Sequence, residues 1–140
     1  MCGITGLVYE DPRPVDVELL RRMTRSLRHR GPDGEGMHVE PGLGLGHRRL
    51  AVVDLSSAAA QPFANDDESV VVTYNGELYD TAEWRAALEK RGHRFRSHSD
   101  TEVVLRLYEE FGAPFVERLR GLFALGLWDR RARRLLLARH

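Results

Sequence analysis

Residues 69–80 read Ser69-Val70-Val71-Val72-Thr73-Tyr74-Asn75-Gly76-Glu77-Leu78-Tyr79-Asp80, and the change of pattern inside this stretch decides the fold class. Ser69 to Tyr74 is rich in β-branched side chains and fits a strand. Asn75-Gly76 is a pair that commonly turns the chain at a strand end. Asp80 and Glu83 have the spacing of a capping box, so a helix is expected from about 81 to 91, stopped at Gly92. Downstream, Ser99 and Glu102 form a second capping box. The helix after it carries Val103, Val104, Leu107, Tyr108 and Phe111 as an apolar stripe. Pro114 suits the first turn of a short helix to about Leu119. Leu122–Trp128 is an apolar strand, and Leu135-Leu136-Leu137-Ala138 starts another beyond a basic turn.

Upstream, residues 3–9 read as a buried strand broken by Pro12 and Pro14. Asp16 to Arg28 reads as a helix with Val17, Leu20, Met23 or Thr24, and Leu27 on one face, stopped by Gly31-Pro32. Residues 31–36 form a turn-rich loop. Strand-like pieces follow near 37–40, 43–47 and 50–54, then a loop over 56–68. Strands lead, helices cluster in two places and strands return. That order is α+β, with helices against mostly antiparallel sheet.

The chain of 140 residues is 42% hydrophobic and 30% charged, ordinary for a globular domain with its own core. Lys plus Arg and Asp plus Glu each number 21, so bulk charge argues against nucleic-acid or membrane-surface binding. The single cysteine, Cys2, excludes an intrachain disulfide and a Cys-rich metal site. There is no membrane-length apolar run, no signal-peptide pattern, no P-loop and no HExxH. The expected compartment is the reducing cytoplasm.

Cys2 follows the initiator. Removal of Met1 would leave it with a free α-amine of pKa roughly 7.7–8.0, close to a useful general base, so one residue could supply both nucleophile and base. The alternative is a small side chain that merely follows Met1. Asn75-Gly76 is either a turn or a pair of oxyanion donors, the Asn side-chain amide and a sterically open Gly N–H. Of Arg48 and Arg49 one must point inward, where it needs a carboxylate or phosphate partner; otherwise both are surface charges. Asp100 either favours a helix N-terminus or faces an ammonium group. The loop Arg28–Gly34 is a lid or a plain turn, and Gly42, Gly44 and Gly46 read as strand and turn flexibility, with no helix following to make a phosphate loop.

Taken in order, Met1-Cys2-Gly3-Ile4, Arg28-His29-Arg30-Gly31-Pro32-Asp33, Gly46-His47-Arg48-Arg49-Leu50, Gln61-Pro62-Phe63, Tyr74-Asn75-Gly76-Glu77-Leu78-Tyr79, Ser99-Asp100-Thr101-Glu102-Val103 and Leu119–Asp129 resemble the glutaminase domain of class II glutamine amidotransferases. Among these the pattern is most similar to the glutamine-hydrolysing asparagine synthetase branch, and it spans residues 2–139. The resemblance implies an N-terminal-nucleophile hydrolase fold, two antiparallel sheets between helical layers. It also implies roles. Cys2, freed of Met1, would attack the glutamine side-chain amide and its α-amine would carry the proton. Asn75 and Gly76 would hold the oxyanion, Arg49 the substrate carboxylate, and Asp100 with Glu77 its ammonium group.

No metal or cofactor is expected for this half-reaction; ATP and Mg would serve a synthetase domain acting in cis or in trans. The partners implied are glutamine and that domain, with a homodimer as one arrangement, and neither nucleic acid nor membrane. In the family the stretch matching Leu137-Ala138-Arg139 continues with Asp, where His140 stands here. Residues 1–140 are therefore expected to be one glutaminase domain lacking its C-terminal strands, with a sheet edge exposed near 134–139. The alternatives are an amidotransferase with another acceptor and a catalytically silent glutamine-binding remnant.

Overall fold

Strand β1 (Gly3–Val8) leads through helix α1 (Val17–Ser26) to strands β2 (Gly34–Glu40) and β3 (Leu43–Arg49). A loop with a short 3-10 turn at Ser57–Ala59 reaches the two-residue β4 (Phe63–Ala64) and the long β5 (Val70–Leu78). Helices α2 (Thr81–Lys90) and α3 (Asp100–Phe111), a 3-10 helix (Ala113–Arg118), β6 (Gly121–Asp129) and β7 (Arg134–Arg139) complete the chain. This computed structural model describes residues 1–140. None of its helices is long and apolar enough to cross a membrane.

The strands form two sheets, β1-β3-β2 and β4-β5-β6-β7, with every pairing antiparallel. Alternation along β3 explains how they stack. Gly44 and Gly46 face α1, and a Cβ on Gly46 would lie 2.1 Å from Thr24 Oγ1, so these glycines let the helix close onto the sheet. Leu43 and Leu45 face the other way and pack on Val71 and Trp128 of the second sheet. The far face of that sheet carries Val70, Val72, Phe123, Leu125 and Leu127 against Val103, Val104 and Leu107 of α3. The result is the expected helix–sheet–sheet–helix stack. Each fully buried Leu or Val in it contributes about 1.5–3 kcal/mol relative to exposure.

Helix α3 is buried on every side from Thr101 to Tyr108, so its charges need partners. Glu102, wholly buried, accepts from Arg96 N–H at 3.0 Å, Ser97 N–H at 2.7 Å and Ser97 Oγ at 2.7 Å, with Arg106 3.4 Å away. Ser99 caps the helix by accepting from Glu102 N–H at 3.3 Å, but the Glu102 carboxylate serves the preceding loop instead of closing the box.

Several expectations are corrected. No strand forms over 50–54, because β3 pairs only as far as Gly3 and Gly34 reach, at Arg48 and Arg49. Beyond them the chain is a loop with Val52, Val53 and Leu55 exposed. Asn75-Gly76 is not a turn: β6 offers a partner to the end, so β5 runs on to Leu78. β2 begins at Gly34, inside the stretch expected as loop. Asp80 makes no side-chain cap on α2; its carboxylate lies 3.7 Å from Arg120. Val17 is exposed, so the buried face of α1 rests on Leu20 and Thr24.

Candidate active site

A cavity of about 380 Å³ opens where β5 outruns its neighbour β4. Cys2, Arg49, Asn75, Gly76, Glu77 and Asp100 all line it, so the structure brings together the residues to which the resemblance assigned roles, while Arg48 and the Arg28–Gly34 loop lie outside its lining.

Cys2 stands just before β1, half-buried. Its Sγ accepts from Leu50 N–H at 3.3 Å and lies 3.7 Å from Leu50 O. The Cys2 carbonyl accepts from Arg30 Nε at 3.2 Å, which fixes the backbone at the nucleophile. Met1 is bonded to Cys2 and exposed, so the Cys2 α-amine exists only once Met1 is removed.

The β5 edge supplies the opposite wall. Tyr79 N–H donates to Arg120 O at 2.9 Å, while Phe123, opposite Gly76, spends its backbone bonds on His140. Odd-numbered residues of β5 therefore bond towards β6 and even-numbered ones point to the other edge. There β4 covers only Val71 and Val72. Tyr74 N–H is taken by Gln61 Oε1 at 2.6 Å and Leu78 N–H by Asp100 Oδ2 at 2.9 Å. Gly76 N–H, between them, has no strand opposite it and faces the cavity. The glycine itself is required by the neighbouring strand, since a Cβ would fall 2.3 Å from Leu122 O. The sequence reading, which tied that glycine to a turn or to an open N–H, missed this close approach. Asn75 is half-buried beside it on the same wall.

The two adjacent arginines part company. Arg48 is the inward one: buried, it bonds Glu35 Oε2 at 2.9 Å and Gly31 O at 2.8 Å and so belongs to the framework. Arg49 faces the cavity and pairs with no carboxylate of the chain. It donates to Ser56 O at 2.9 Å and to Asp54 O, the backbone of the cavity loop. Asp54 in turn accepts from Ser56 Oγ, His98 N–H and Ser56 N–H, bonds that hold its carboxyl down at about 2 and tie the loop to the approach to α3.

Asp100 begins α3, half-buried. Burial pushes its carboxyl above the usual aspartate range and the Glu77 charge adds to the push; the Leu78 N–H and Arg85 oppose them. Glu77 is exposed at the cavity and forms no ion pair. The wall thus holds an unpaired guanidinium and carboxylates free of ion pairs.

Three contributors escaped the sequence reading. Gln61 lies in a quoted motif, yet nothing in sequence spacing places its amide on β5. Leu50 contributes through its backbone, which no side-chain pattern reveals. His47, buried between the sheets, meets Tyr74 O through Nε2 at 3.1 Å; burial, with the nearby arginine charges, pulls its pKa down to about 4, so it is neutral at pH 7. No group of three or more His, Cys, Asp and Glu side chains converges as a metal-holding set.

Residues 1–140 match the family described as a glutamine amidotransferase domain. The chain is 44% identical over 144 residues to asparagine synthetase (glutamine-hydrolyzing) 2 of Oryza sativa subsp. japonica, and 43% over 141 residues to asparagine synthetase (glutamine-hydrolyzing) 1 of Arabidopsis thaliana. It is 38% identical over 142 residues to asparagine synthetase (glutamine-hydrolyzing) 2 of Bacillus subtilis (strain 168). These alignments cover 99% of this chain but only 23%, 24% and 19% of the respective relatives, so it spans about a quarter of their length or less. Among solved structures, the glutamine phosphoribosylpyrophosphate amidotransferase of B. subtilis, complexed with ADP and GMP, superposes with a TM-score of 0.76 at 20% identity. That match covers 93% of this chain and 35% of the other, and the fold is that of the N-terminal-nucleophile hydrolases.

Proposed function

This chain belongs to the glutamine amidotransferase domain family, and we propose that it hydrolyses glutamine to glutamate and ammonia through a thioester on Cys2, as the glutaminase half of an asparagine synthetase. With Met1 removed, the Cys2 α-amine takes the thiol proton as sulfur attacks the side-chain amide carbon. The tetrahedral oxyanion is met by Gly76 N–H and the Asn75 amide, a reading supported by both residues lining the cavity. The intermediate collapses as the ammonium form of the amine returns its proton to the leaving nitrogen, releasing ammonia. Water, deprotonated by the same amine, then attacks the thioester carbon and frees glutamate and the thiol. Arg49 clamps the substrate carboxylate, a planar fork on a planar anion. Asp100, helped by Glu77, takes the ammonium group.

The observation that carries this reading is the shared cavity: a cysteine sulfur on one wall, an unpaired backbone N–H on the other, and unpaired charges of both signs around them. A zwitterion with a reactive amide at its far end complements that set, and simple amides lacking the charges would leave it unpaired. The reaction asks only for thiol, amine and water. ATP and Mg would be used by a synthetase domain outside these residues, with asparagine as the product suggested by the 38–44% identical relatives. A thiol nucleophile suits a reducing compartment such as the cytoplasm.

The test is glutamate release from glutamine by protein whose N-terminus is verified by mass spectrometry. Cys2→Ala is expected to lower the rate by at least about 10³-fold. A folded, fully processed Cys2→Ala protein as active as the parent would show that the chemistry lies elsewhere.

A further inference from the structure

The free edge of β5 is an incomplete ladder. A strand edge without a partner strand is held from one side only, here by β6, yet the donors on both sides of Gly76 are occupied by side chains. Asp100 takes one and belongs to the proposed substrate site. Gln61 takes the other and has no such role.

Gln61 is built in at every polar atom of its side chain. Its Oε1 accepts from Tyr74 N–H at 2.6 Å and its Nε2 donates to Thr101 Oγ1 at 3.0 Å. Thr101 adjoins Asp100 in the first turn of α3. Tyr74, Gln61, Thr101, Asp100 and Leu78 therefore close a frame around the open Gly76 N–H. The Gln61 backbone is also seated: a Cβ on Gly36 would lie 1.9 Å from Gln61 O, so β2 is glycine where the segment crosses it. At the same edge His47 holds Tyr74 O at 3.1 Å, so both backbone polar groups of Tyr74 are fixed by side chains.

We propose that Gln61 is a positioning residue for the hydrolysis: it stands in for the missing strand beside β5 and, through Tyr74, keeps Gly76 N–H unpaired and aimed at the place where the oxyanion forms. The proposal rests on the glutaminase reading above. Loss of the Gln61 acceptor leaves the Tyr74–Gly76 peptides held from the β6 side alone and free to tilt, which weakens a contact made in the transition state more than in bound glutamine.

The experiment uses the protein that carries this chain, with Met1 removal verified. Gln61→Met keeps length and removes donor and acceptor. Gln61→Glu keeps an acceptor for Tyr74 N–H and can accept from the Thr101 hydroxyl. For Gln61→Met, glutaminase kcat is expected to fall roughly 10–100-fold with KM within about threefold of the parent. The aldehyde analogue of glutamine adds the Cys2 thiol across its C=O, forming a C–S bond with the thiol proton ending on oxygen. Its affinity is expected to weaken by a similar factor, because that adduct is tetrahedral. Gln61→Glu is expected to restore kcat to within about threefold. Parent-like kcat and analogue affinity in Gln61→Met overturn the proposal, as does a raised KM at unchanged kcat, which would make Gln61 a substrate wall. If Gln61→Met fails to fold, Thr101→Val decides by removing only the anchor of the Gln61 amide: a several-fold fall in kcat at constant KM supports the frame and an unchanged kcat overturns it. An active Cys2→Ala protein sinks the glutaminase reading itself; an inactive one beside a parent-like Gln61→Met sinks only the role of Gln61.

Discussion

The two ends of β5 are one strand finished in two ways. At Val71–Val72 it is paired on both sides, and the polar groups around that end are closed. Asn65 Oδ1 accepts from Val70 N–H at 2.9 Å, and Tyr108 donates to Asp129 at 2.6 Å. Glu40 accepts from Trp128 Nε1 at 2.9 Å and Arg130 at 3.1 Å and bonds His38 at 2.7 Å. At Tyr74–Leu78 only β6 pairs, and Gly76 N–H, Arg49 and Glu77 have no partner of the kind their chemistry asks for. The difference teaches where the fold spends its polar groups. Saturated groups lock the sheets together, and the unsaturated ones mark where a ligand is to complete the set.

The contrast can be attacked first where saturation is deepest. Glu102→Ala removes a wholly buried carboxylate and strands the Arg96 and Ser97 N–H groups that donate to it, so it is expected to cost about 3–5 kcal/mol, read as a lower denaturant midpoint. The neighbouring arginines sharpen the comparison next. Arg49→Leu is expected to lower kcat/KM for glutamine by roughly 10²–10³-fold at an unchanged melting temperature, whereas Arg48→Leu lowers the melting temperature by removing the buried donor to Glu35 and Gly31 O. A reversal of those two phenotypes would erase the distinction between framework and site.

His47 gives a pH test. Its folded pKa of about 4 lies below the ordinary 6.5, so the unfolded chain binds the proton first. The stability this contributes is present above pH 6.5 and is lost as pH falls to about 4, by an amount of about 3 kcal/mol. His47→Asn is expected to flatten that part of a stability–pH curve. Asp100 acts on activity instead. It must be ionised to hold an ammonium group, and its carboxyl is pushed up by burial and by Glu77, so the acid limb of kcat/KM lies above the usual aspartate range. Glu77→Gln is expected to move that limb to lower pH, whatever it does to the plateau; a limb that stays put would remove Glu77 from the electrostatics of the site. The smallest effect is expected at the exposed loop, where Val52→Ser and Val53→Ser should change unfolding free energy by less than about 0.5 kcal/mol.

Much of the element order was legible because local rules and burial agreed. The β-branched run at Val70–Thr73, the stripe on α3 and the serine cap at Ser99 each have one favourable reading and take it. The failures share a cause. Asn75-Gly76 has turn chemistry, but β6 supplies a partner beyond it, and pairing outweighs local preference. Val52-Val53 has strand chemistry, but β1 and β2 end before it, so no partner exists. The site shows the same division. Cys2, Arg49, Asn75, Gly76, Glu77 and Asp100 could be named from their motifs, while Gln61 and His47 contribute through contacts with the Tyr74 backbone and the Leu50 N–H through the Cys2 sulfur, all distant in sequence.

By itself, then, the sequence determined which side chains carry chemistry and which segments want to be helix or strand, because those depend on residue type and short-range spacing. Only the tertiary structure decided which of two adjacent arginines faces the cavity, which backbone N–H stays open, and which side chains stand in for an absent strand. Those are outcomes of register, and register is set where strands distant in the chain meet.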